Sequence, residues 1–332
     1  MINFNDIQTA QQRINAHIND TPVIQSAQLN HWLGHQIFFK AECLQKIGAF
    51  KARGGCNAVQ VLCEKHAGIN RVVANSSGNH AQAVAWSAAQ FNIPATIYMP
   101  SFASKVKAQA TRSYGAEVVL LDKRQQVDAA VATAAQEDGV FWIPPFNDDA
   151  VIAGQGTAAL EALQQVNQDI DAVFAPCGGG GLISGSLVAT RALQPKAQVI
   201  AVEPAAGDDA YRSFHSGEIQ RLADAPNTFA DGAMTLSVGE KTFAHIKQLD
   251  DFFVVDEAPM AYWTQWLQHL LKMHVEPTSA MTMDGVCQWL RGQMQPKKVL
   301  VILSGGNIDA QMMQRLWAED QLTEVPNVQR FS

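Results

Sequence analysis

The sequence is short of paired cysteines, of charge and of long apolar runs, and each shortage removes a class of protein. Its five cysteines (Cys43, Cys56, Cys63, Cys177 and Cys287) are odd in number, and none pairs as C-x-x-C. They read as reduced thiols of a cytoplasmic protein, with neither a disulfide framework nor a zinc site. Lys and Arg total 24 against 31 Asp and Glu, a formal charge of −7. With no basic run or basic–aromatic interleaving, nothing provides the clustered cations that a general nucleic-acid surface needs. No stretch approaches the roughly 20 apolar residues that cross a bilayer. The opening "MINFNDIQTAQQRINAHIND" is polar and helix-like, so it does not read as a signal peptide. Neither a repeat of 20 to 50 residues nor a low-complexity segment is found.

What the 332 residues do contain is globular: 47% are hydrophobic and 17% charged. Such a chain buries a substantial core as two domains or one large one. Short β-rich runs, "RVVA" (71–74), "TIYM" (96–99), "EVVLL" (117–121), "AVFAPC" (172–177), "QVIAVE" (198–203) and "KVLVILS" (298–304), alternate with amphipathic stretches such as "AQAVAWSAAQF", "SKVKAQATRSYG" and "AALEALQQV". Strands buried on both faces and separated by helices predict an α/β fold with mostly parallel strands and right-handed crossovers. The segment 71–147 holds its own strand–helix units. It is expected to form a small domain inserted in a larger one built from 1–70 and 148–332.

Glycine falls at informative places. "NSSGNH" (75–80), "GGGG" (178–181) and "SGGN" (304–307) each follow a predicted strand, at the end of an open α/β sheet where ligands bind. Gly178, Gly179, Gly180 and Gly181 lead into the helical "LISGSLVATRAL". A flexible linker would contain serine and would not join strand directly to helix, so the run reads as bare backbone N–H groups suited to a phosphate. No Gly-Lys-Ser/Thr follows, and G-x-G-x-x-G fails at its last position, so it is neither a P-loop nor a dinucleotide fingerprint. "SSGNH" reads equally as a helix cap or as a carboxylate pocket assisted by the helix dipole. "GAFKARGG" (48–55) sets Lys51 between an aromatic residue and an arginine with glycines on both sides, either an ordinary turn or a backbone that lets a large group reach the amine.

Taken together and in order, "GAFKARGGCNAV", "SSGNHAQA", "IAGQGT", "GGGGL" and "LSGGN" resemble the fold-type II pyridoxal-phosphate enzymes, in particular the serine/threonine dehydratases and serine racemase, over about residues 10 to 310. The resemblance implies two open, twisted, mostly parallel sheets flanked by helices. It also implies a pyridoxal 5'-phosphate cofactor anchored covalently on Lys51, with Phe50 beside its ring and Gly178 to Gly181 around its phosphate. Asn79 would bond the ring's phenolic oxygen. Ser304 would face the pyridine nitrogen, leaving it largely uncharged. Ser76, Ser77 and His80 would line the pocket for an amino-acid carboxylate, with Ser77 as acid/base opposite the lysine, as in the racemase-like members. In "VEPAAGDDAY" (202–211), Glu203, the Gly207 carbonyl and Asp209 match the divalent-cation site of that group, with Mg²⁺ expected and Ca²⁺ or Mn²⁺ as alternatives. Outside the family context the same residues read as a strand end and a solvated acidic helix start.

Two positions depart from the pattern. Ala49 stands where "GSFK" is common, and Arg124 lies out of register with the arginine that holds the substrate carboxylate in serine racemase. The implied activity is a lyase on L-serine, L-threonine or a similar β-hydroxy amino acid, with racemisation or 3-hydroxyaspartate dehydration as alternatives, in a cytoplasmic homodimer. Only 25 residues follow "LSGGN", so a C-terminal regulatory domain like that of biosynthetic threonine dehydratases is not expected.

Overall fold

A computed structural model describes residues 1–101, 103 and 105–332. Ten strands form two sheets. In chain order they are β1 (Val23–Ile24), β2 (Gln36–Ala41), β3 (Arg71–Asn75), β4 (Ala95–Pro100), β5 (Glu117–Leu121), β6 (Val140–Trp142), β7 (Ala172–Pro176), β8 (Gln198–Pro204), β9 (Asp251–Val255) and β10 (Lys298–Leu303). The larger sheet has the order β1-β2-β10-β7-β8-β9, and the smaller β5-β4-β3-β6. Every pairing is parallel except β1 with β2. The expected α/β architecture of two mostly parallel sheets is therefore what the chain forms.

Side-chain alternation explains why the central strands read as continuous apolar runs. Val299, Val301 and Leu303 of β10 enter one core with Ile200 and Val202 of β8 and Ala172 and Phe174 of β7. Ile302, Val199, Ala201 and Ala175 point to the other face, against helices Phe4–Ile14, Asp149–Val166 and Gly181–Leu193. Both faces are covered, as parallel sheets require. The small sheet repeats this, with Val72, Ala74, Ile97 and Met99 on one face and Val73 on the other.

All six predicted strands are present. The four that sequence patterning did not single out are short or open on a polar residue: β1 has two residues, β6 three, β2 "QIFFKA" opens on Gln36 and carries Lys40, and β9 opens on Asp251. The stretch 104–115 forms the helix Lys105–Ser113; its Ser104 lies outside the described residues.

Lys40 is fully buried because it belongs to an ion network. The Arg53 guanidinium donates to both oxygens of Glu42, at 2.7 and 2.8 Å, and to both of Glu161, at 2.9 and 3.1 Å. Lys40 pairs with Glu161 as well. Two cations and two carboxylates thus balance where an isolated charge would be prohibitive. Arg53 lies two residues after Lys51, so the network pins the helix Lys51–Lys65 to β2 and to the helix Asp149–Val166.

Close helix contacts depend on glycine. A Cβ on Gly154 would lie 2.6 Å from the Arg53 carbonyl oxygen, and one on Gly185 2.5 Å from the Gly156 backbone nitrogen. The helix carrying "IAGQGT" is thereby wedged between the Lys51 helix and the helix that leaves the glycine run. Gly54 and Gly55 are spent in the same way, packed against Gln155 and against Ala83 and Ser87. They lie inside a helix, so they bring helices together and do not open a path to the Lys51 amine.

Candidate active site

Four neighbouring strands of the large sheet deliver the candidate residues from their C-terminal ends. After β2 comes the segment leading to Phe50 and Lys51, after β10 comes Ser304, after β7 the glycine run, and after β8 the residues from Glu203 to Asp209. The small sheet contributes in the same sense. Ser76 to His80 follow β3, and Pro145 and Phe146 follow β6 beside it. Parallel strands put all their C-terminal ends on one edge, so residues far apart in the chain share one site.

Three helices open toward this edge with no side chain bonded to their first N–H groups: Lys51–Lys65, Asn79–Gln90 and Gly181–Leu193. Elsewhere Asn3, Ser26 and Asp148 cap helix starts in the ordinary way. In "SSGNH" the N-cap is Gly78, and Ser76 Oγ accepts from the Gly78 N–H at 3.2 Å. The capping alternative for this motif is not realised, and the helix leaves donors and positive dipole for an anion.

Lys51 Nζ donates to the Pro145 carbonyl oxygen at 2.6 Å and lies 5.1 Å from the centre of the Phe50 ring. Desolvation brings its amine down to about 8, favouring the neutral nucleophile. The Phe50 N–H donates to the Ser304 carbonyl oxygen at 2.9 Å, and Ala49 bridges Gly305, which joins the lysine segment to the end of β10. The Ser304 hydroxyl is buried and shares a hydrogen bond with Ser279 Oγ at 2.9 Å.

The glycine run tolerates no side chains at Gly179, Gly180 or Gly181. Gly180 has φ +86°, the left-handed region that suits glycine. A Cβ on Gly179 would fall 2.0 Å from the Phe146 ring, and one on Gly181 2.4 Å from Gln155 Oε1. Side chains here would collide with Phe146 and Gln155, so glycine alone lets these groups pack against the turn and keeps its N–H groups bare.

Asn79, half-buried, donates from Nδ2 to both oxygens of Glu276 at 3.1 Å, and its Oδ1 accepts from Asn307 Nδ2 at 2.8 Å. Burial and then Asp231 raise the Glu276 carboxyl to about 7. Glu276 and Asn307 were not among the candidate residues. Glu276 was legible only as a lone acid in "HVEPTSAM"; Asn307 closes "SGGN". Lys107, from the small-sheet side, pairs with Asp231.

His80 is buried, and its Nε2 bonds the Ile143 carbonyl oxygen at 2.8 Å. Nε2 therefore carries the proton, and Nδ1 is a lone pair without a partner. Burial, with the Lys51 charge next, lowers this ring to about 3, so it is neutral and acts by hydrogen bonding alone. Ser76 and Ser77 are half-buried on the same turn, and Arg124 is exposed at the start of the helix Arg124–Ala134.

Glu203 and Asp209 are fully buried. Glu203 accepts from the backbone N–H groups of Tyr211 at 2.9 Å and Ala210 at 3.4 Å. Both Asp209 oxygens are buried without any hydrogen-bond partner. Burial pushes Asp209 up to about 7, and burial followed by Asp209 pushes Glu203 well above its ordinary range. Two buried carboxyl groups beside the Gly207 turn, with the Asp209 oxygens orphaned, are not the solvated helix start that the residues alone suggested. Among the described residues no group of three His, Cys, Asp or Glu side chains converges as a metal site.

These features are those of a catalyst built around pyridoxal phosphate, and the chain belongs to the pyridoxal-phosphate dependent enzyme family, whose model matches residues 14–305. Among its relatives is L-threo-3-hydroxyaspartate ammonia-lyase of Saccharomyces cerevisiae, 44% identical over 311 residues, covering 92% of this chain and 93% of that protein. Serine racemase of Schizosaccharomyces pombe is 40% identical, covering 92% and 94%. The crystal structure of a T.th. threonine deaminase superposes with a TM-score of 0.87 at 39% identity, covering 93% of this chain and 99% of that one.

Proposed function

We propose that this enzyme is an ammonia-lyase that removes water from a small β-hydroxy amino acid, L-serine or L-threonine, and releases a 2-oxo acid and ammonia. The observation that carries this reading is the Lys51 amine, desolvated to about 8 and held on the Pro145 carbonyl oxygen next to Phe146, which lies against the glycine run. Bound there, the cofactor supplies an electron sink for the carbanion at Cα. Gly178 to Gly181 would receive its phosphate, with Phe50 beside its ring, Asn79 toward the phenolic oxygen and Ser304 toward the ring nitrogen. Ser76, Ser77 and the uncapped helix behind them would orient the substrate carboxylate, with His80 as a neutral partner. Lys51 would then take the Cα proton as general base. With its amine near 8, roughly a tenth of it is neutral at pH 7, against well under a hundredth for an ordinary lysine. The β-hydroxyl leaves as water, and the enamine hydrolyses to the 2-oxo acid and ammonia.

Ser77 supports a second activity, racemisation, because a hydroxyl facing Cα opposite the lysine exchanges a proton from the other side. The name of the yeast relative supports 3-hydroxyaspartate as a further substrate of the same site. Glu203, the Gly207 carbonyl and Asp209 would hold Mg²⁺, or Ca²⁺ or Mn²⁺ in its place, a reading supported by the orphaned Asp209 oxygens. Residues 71–147 would act as a small domain closing on substrate. No helix among the described residues is long and apolar enough to cross a membrane, and the same reading takes the enzyme as a cytoplasmic homodimer.

The test is a panel of L- and D-serine, L-threonine and 3-hydroxyaspartate isomers, following ammonia, 2-oxo acid and enantiomer. Lys51→Ala is expected to abolish turnover, and Ser77→Ala to abolish racemisation and D-isomer turnover while L-isomer elimination persists. No ammonia from any member of the panel, or full activity in the Lys51 variant, would sink the lyase reading.

A further inference from the structure

The motif "IAGQGT" contains one residue that packing does not explain. Gly154 and Gly156 account for themselves by letting their helix lie flush against its two neighbours. Gln155, between them, is fully buried, and neither its Oε1 nor its Nε2 has a hydrogen-bond partner. Burying both ends of an amide unpaired is costly, and an apolar residue of the same shape would avoid that cost. A glutamine here calls for a polar partner that the protein itself does not supply.

Its surroundings indicate the chemistry of that partner. A Cβ on Gly54 would lie 2.9 Å from Gln155 Cγ and 3.1 Å from its Nε2, and one on Gly181 2.4 Å from its Oε1. The amide therefore spans the groove between the helix that begins at Lys51 and the helix that begins at Gly181, both with uncapped N-termini. With no partner at either end, the amide is free to turn about its last bond and present its N–H₂ to the Gly181 side. A neutral donor beside bare backbone N–H groups is complementary to an anion.

We infer that Gln155 is a cofactor-binding residue whose side-chain N–H donates to the phosphate of pyridoxal phosphate from the side of the cradle opposite β7. This inference rests on the reading that Gly178 to Gly181 hold that phosphate. It gives "IAGQGT" a division of labour, in which the glycines set the helix spacing and the glutamine supplies a phosphate ligand.

The test compares binding of pyridoxal phosphate and of pyridoxal, which lacks the phosphate, to the cofactor-free protein by absorbance and fluorescence titration. In Gln155→Leu and Gln155→Met, affinity for the phosphorylated cofactor is expected to fall about 10- to 100-fold, the range of one hydrogen bond to a charged group. Pyridoxal affinity is expected to stay within about twofold, because the deleted donor addresses only the phosphate. The melting temperature of the cofactor-free protein is expected to hold or rise in both variants, since an unpaired buried amide has been removed. A fall in that temperature with phosphate discrimination intact makes Gln155 a structural residue and overturns the inference, as does an equal loss for both ligands or no loss for either. Gly178→Ala separates the two levels of the reading. If it keeps full discrimination, the phosphate lies elsewhere and the cradle assignment fails with this inference. If it loses discrimination while the Gln155 variants keep it, the cradle stands and only Gln155 is misassigned.

Discussion

Asn79 presents its amide to Glu276, with both carboxylate oxygens 3.1 Å from Nδ2, while Asn307 donates to the amide oxygen. The partners of Asn79 thus come from the large-sheet side, whereas Asn79 itself follows β3 of the small sheet. Glu276, raised to about 7 by burial and then by Asp231, is the titrating member. Above that pH it is an anion that fixes which way the Asn79 amide points; below it, protonation removes an acceptor. Activity should therefore rise as pH passes through about 7. Glu276→Gln is expected to lower kcat/KM about 10- to 100-fold, as for other residues that orient a ligand from behind, and to flatten that rise. An unchanged pH–rate profile in the variant would remove Glu276 from this role.

The Arg53 network predicts a contrast between two arginines. Arg53 is fully buried and bonds two carboxylates, so Arg53→Met leaves two buried anions with Lys40 as their remaining cation and is expected to cost about 3–5 kcal/mol. Arg71 also bonds both oxygens of one carboxylate, that of Glu137, at 2.7 Å, but at the surface, where Arg71→Met should cost no more than about 1 kcal/mol. Urea denaturation of the two variants measures both. Equal effects would show that the buried network contributes no more than the surface pair.

Cation removal should make stability depend on pH. Asp209 rises from 3.8 to about 7 on folding, so between those values the folded chain holds a proton that the unfolded chain has released. The sign is fixed: without a cation, stability falls as pH rises from about 4 to about 7. On the proposed reading Mg²⁺ bound to Glu203 and Asp209 would replace those protons, so EDTA should lower the melting temperature at pH 7.5 more than at pH 5, and added Mg²⁺ should restore it. Asp209→Asn should abolish the response and lessen the slope, Glu203 and Glu276 keeping their own contributions of the same sign. A melting temperature indifferent to EDTA at both pH values counts against these ligands.

Helix spacing gives a fourth outcome. Gly185→Ala sets a methyl group 2.5 Å from the Gly156 backbone nitrogen. Backbone cannot swing aside as a side chain can, so the helices must part, at about 1–3 kcal/mol. Gly34→Ala is a useful control, since its Cβ meets nothing within 4 Å and its φ of +73° adds only backbone strain. Thermal unfolding with and without cofactor should show weaker cofactor binding for Gly185→Ala and not for Gly34→Ala.

The strands nearest the site were legible because parallel strands covered on both faces leave unbroken apolar runs, as in "KVLVIL" and "QVIAV". The glycine run was legible because its chemistry is local, a turn that no side chain fits; Lys51 was singled out by the resemblance its motif carries, since on its own residues the stretch read equally as an ordinary turn. The strand β2 was not legible, because Lys40 interrupts its apolar pattern and only the distant partners Glu161, Gln165 and Thr21 make that lysine tolerable inside. Gly54 and Gly55 read as freedom around the lysine, yet they serve helix contacts that no sequence window contains.

By itself the sequence determined the fold class and the glycine turns, because periodicity and turn chemistry act over a few neighbouring positions, and the order of its motifs carried the resemblance that implied the cofactor. Only the tertiary structure decided what lies against what: Asn79 on Glu276 across 197 positions, Lys51 on Pro145 across 94, and Asp209 buried with no partner. Burial and long-range proximity set those electrostatic states. A carboxylate near 7 and an amine near 8 are properties of an assembled low-dielectric interior, not of any stretch of chain.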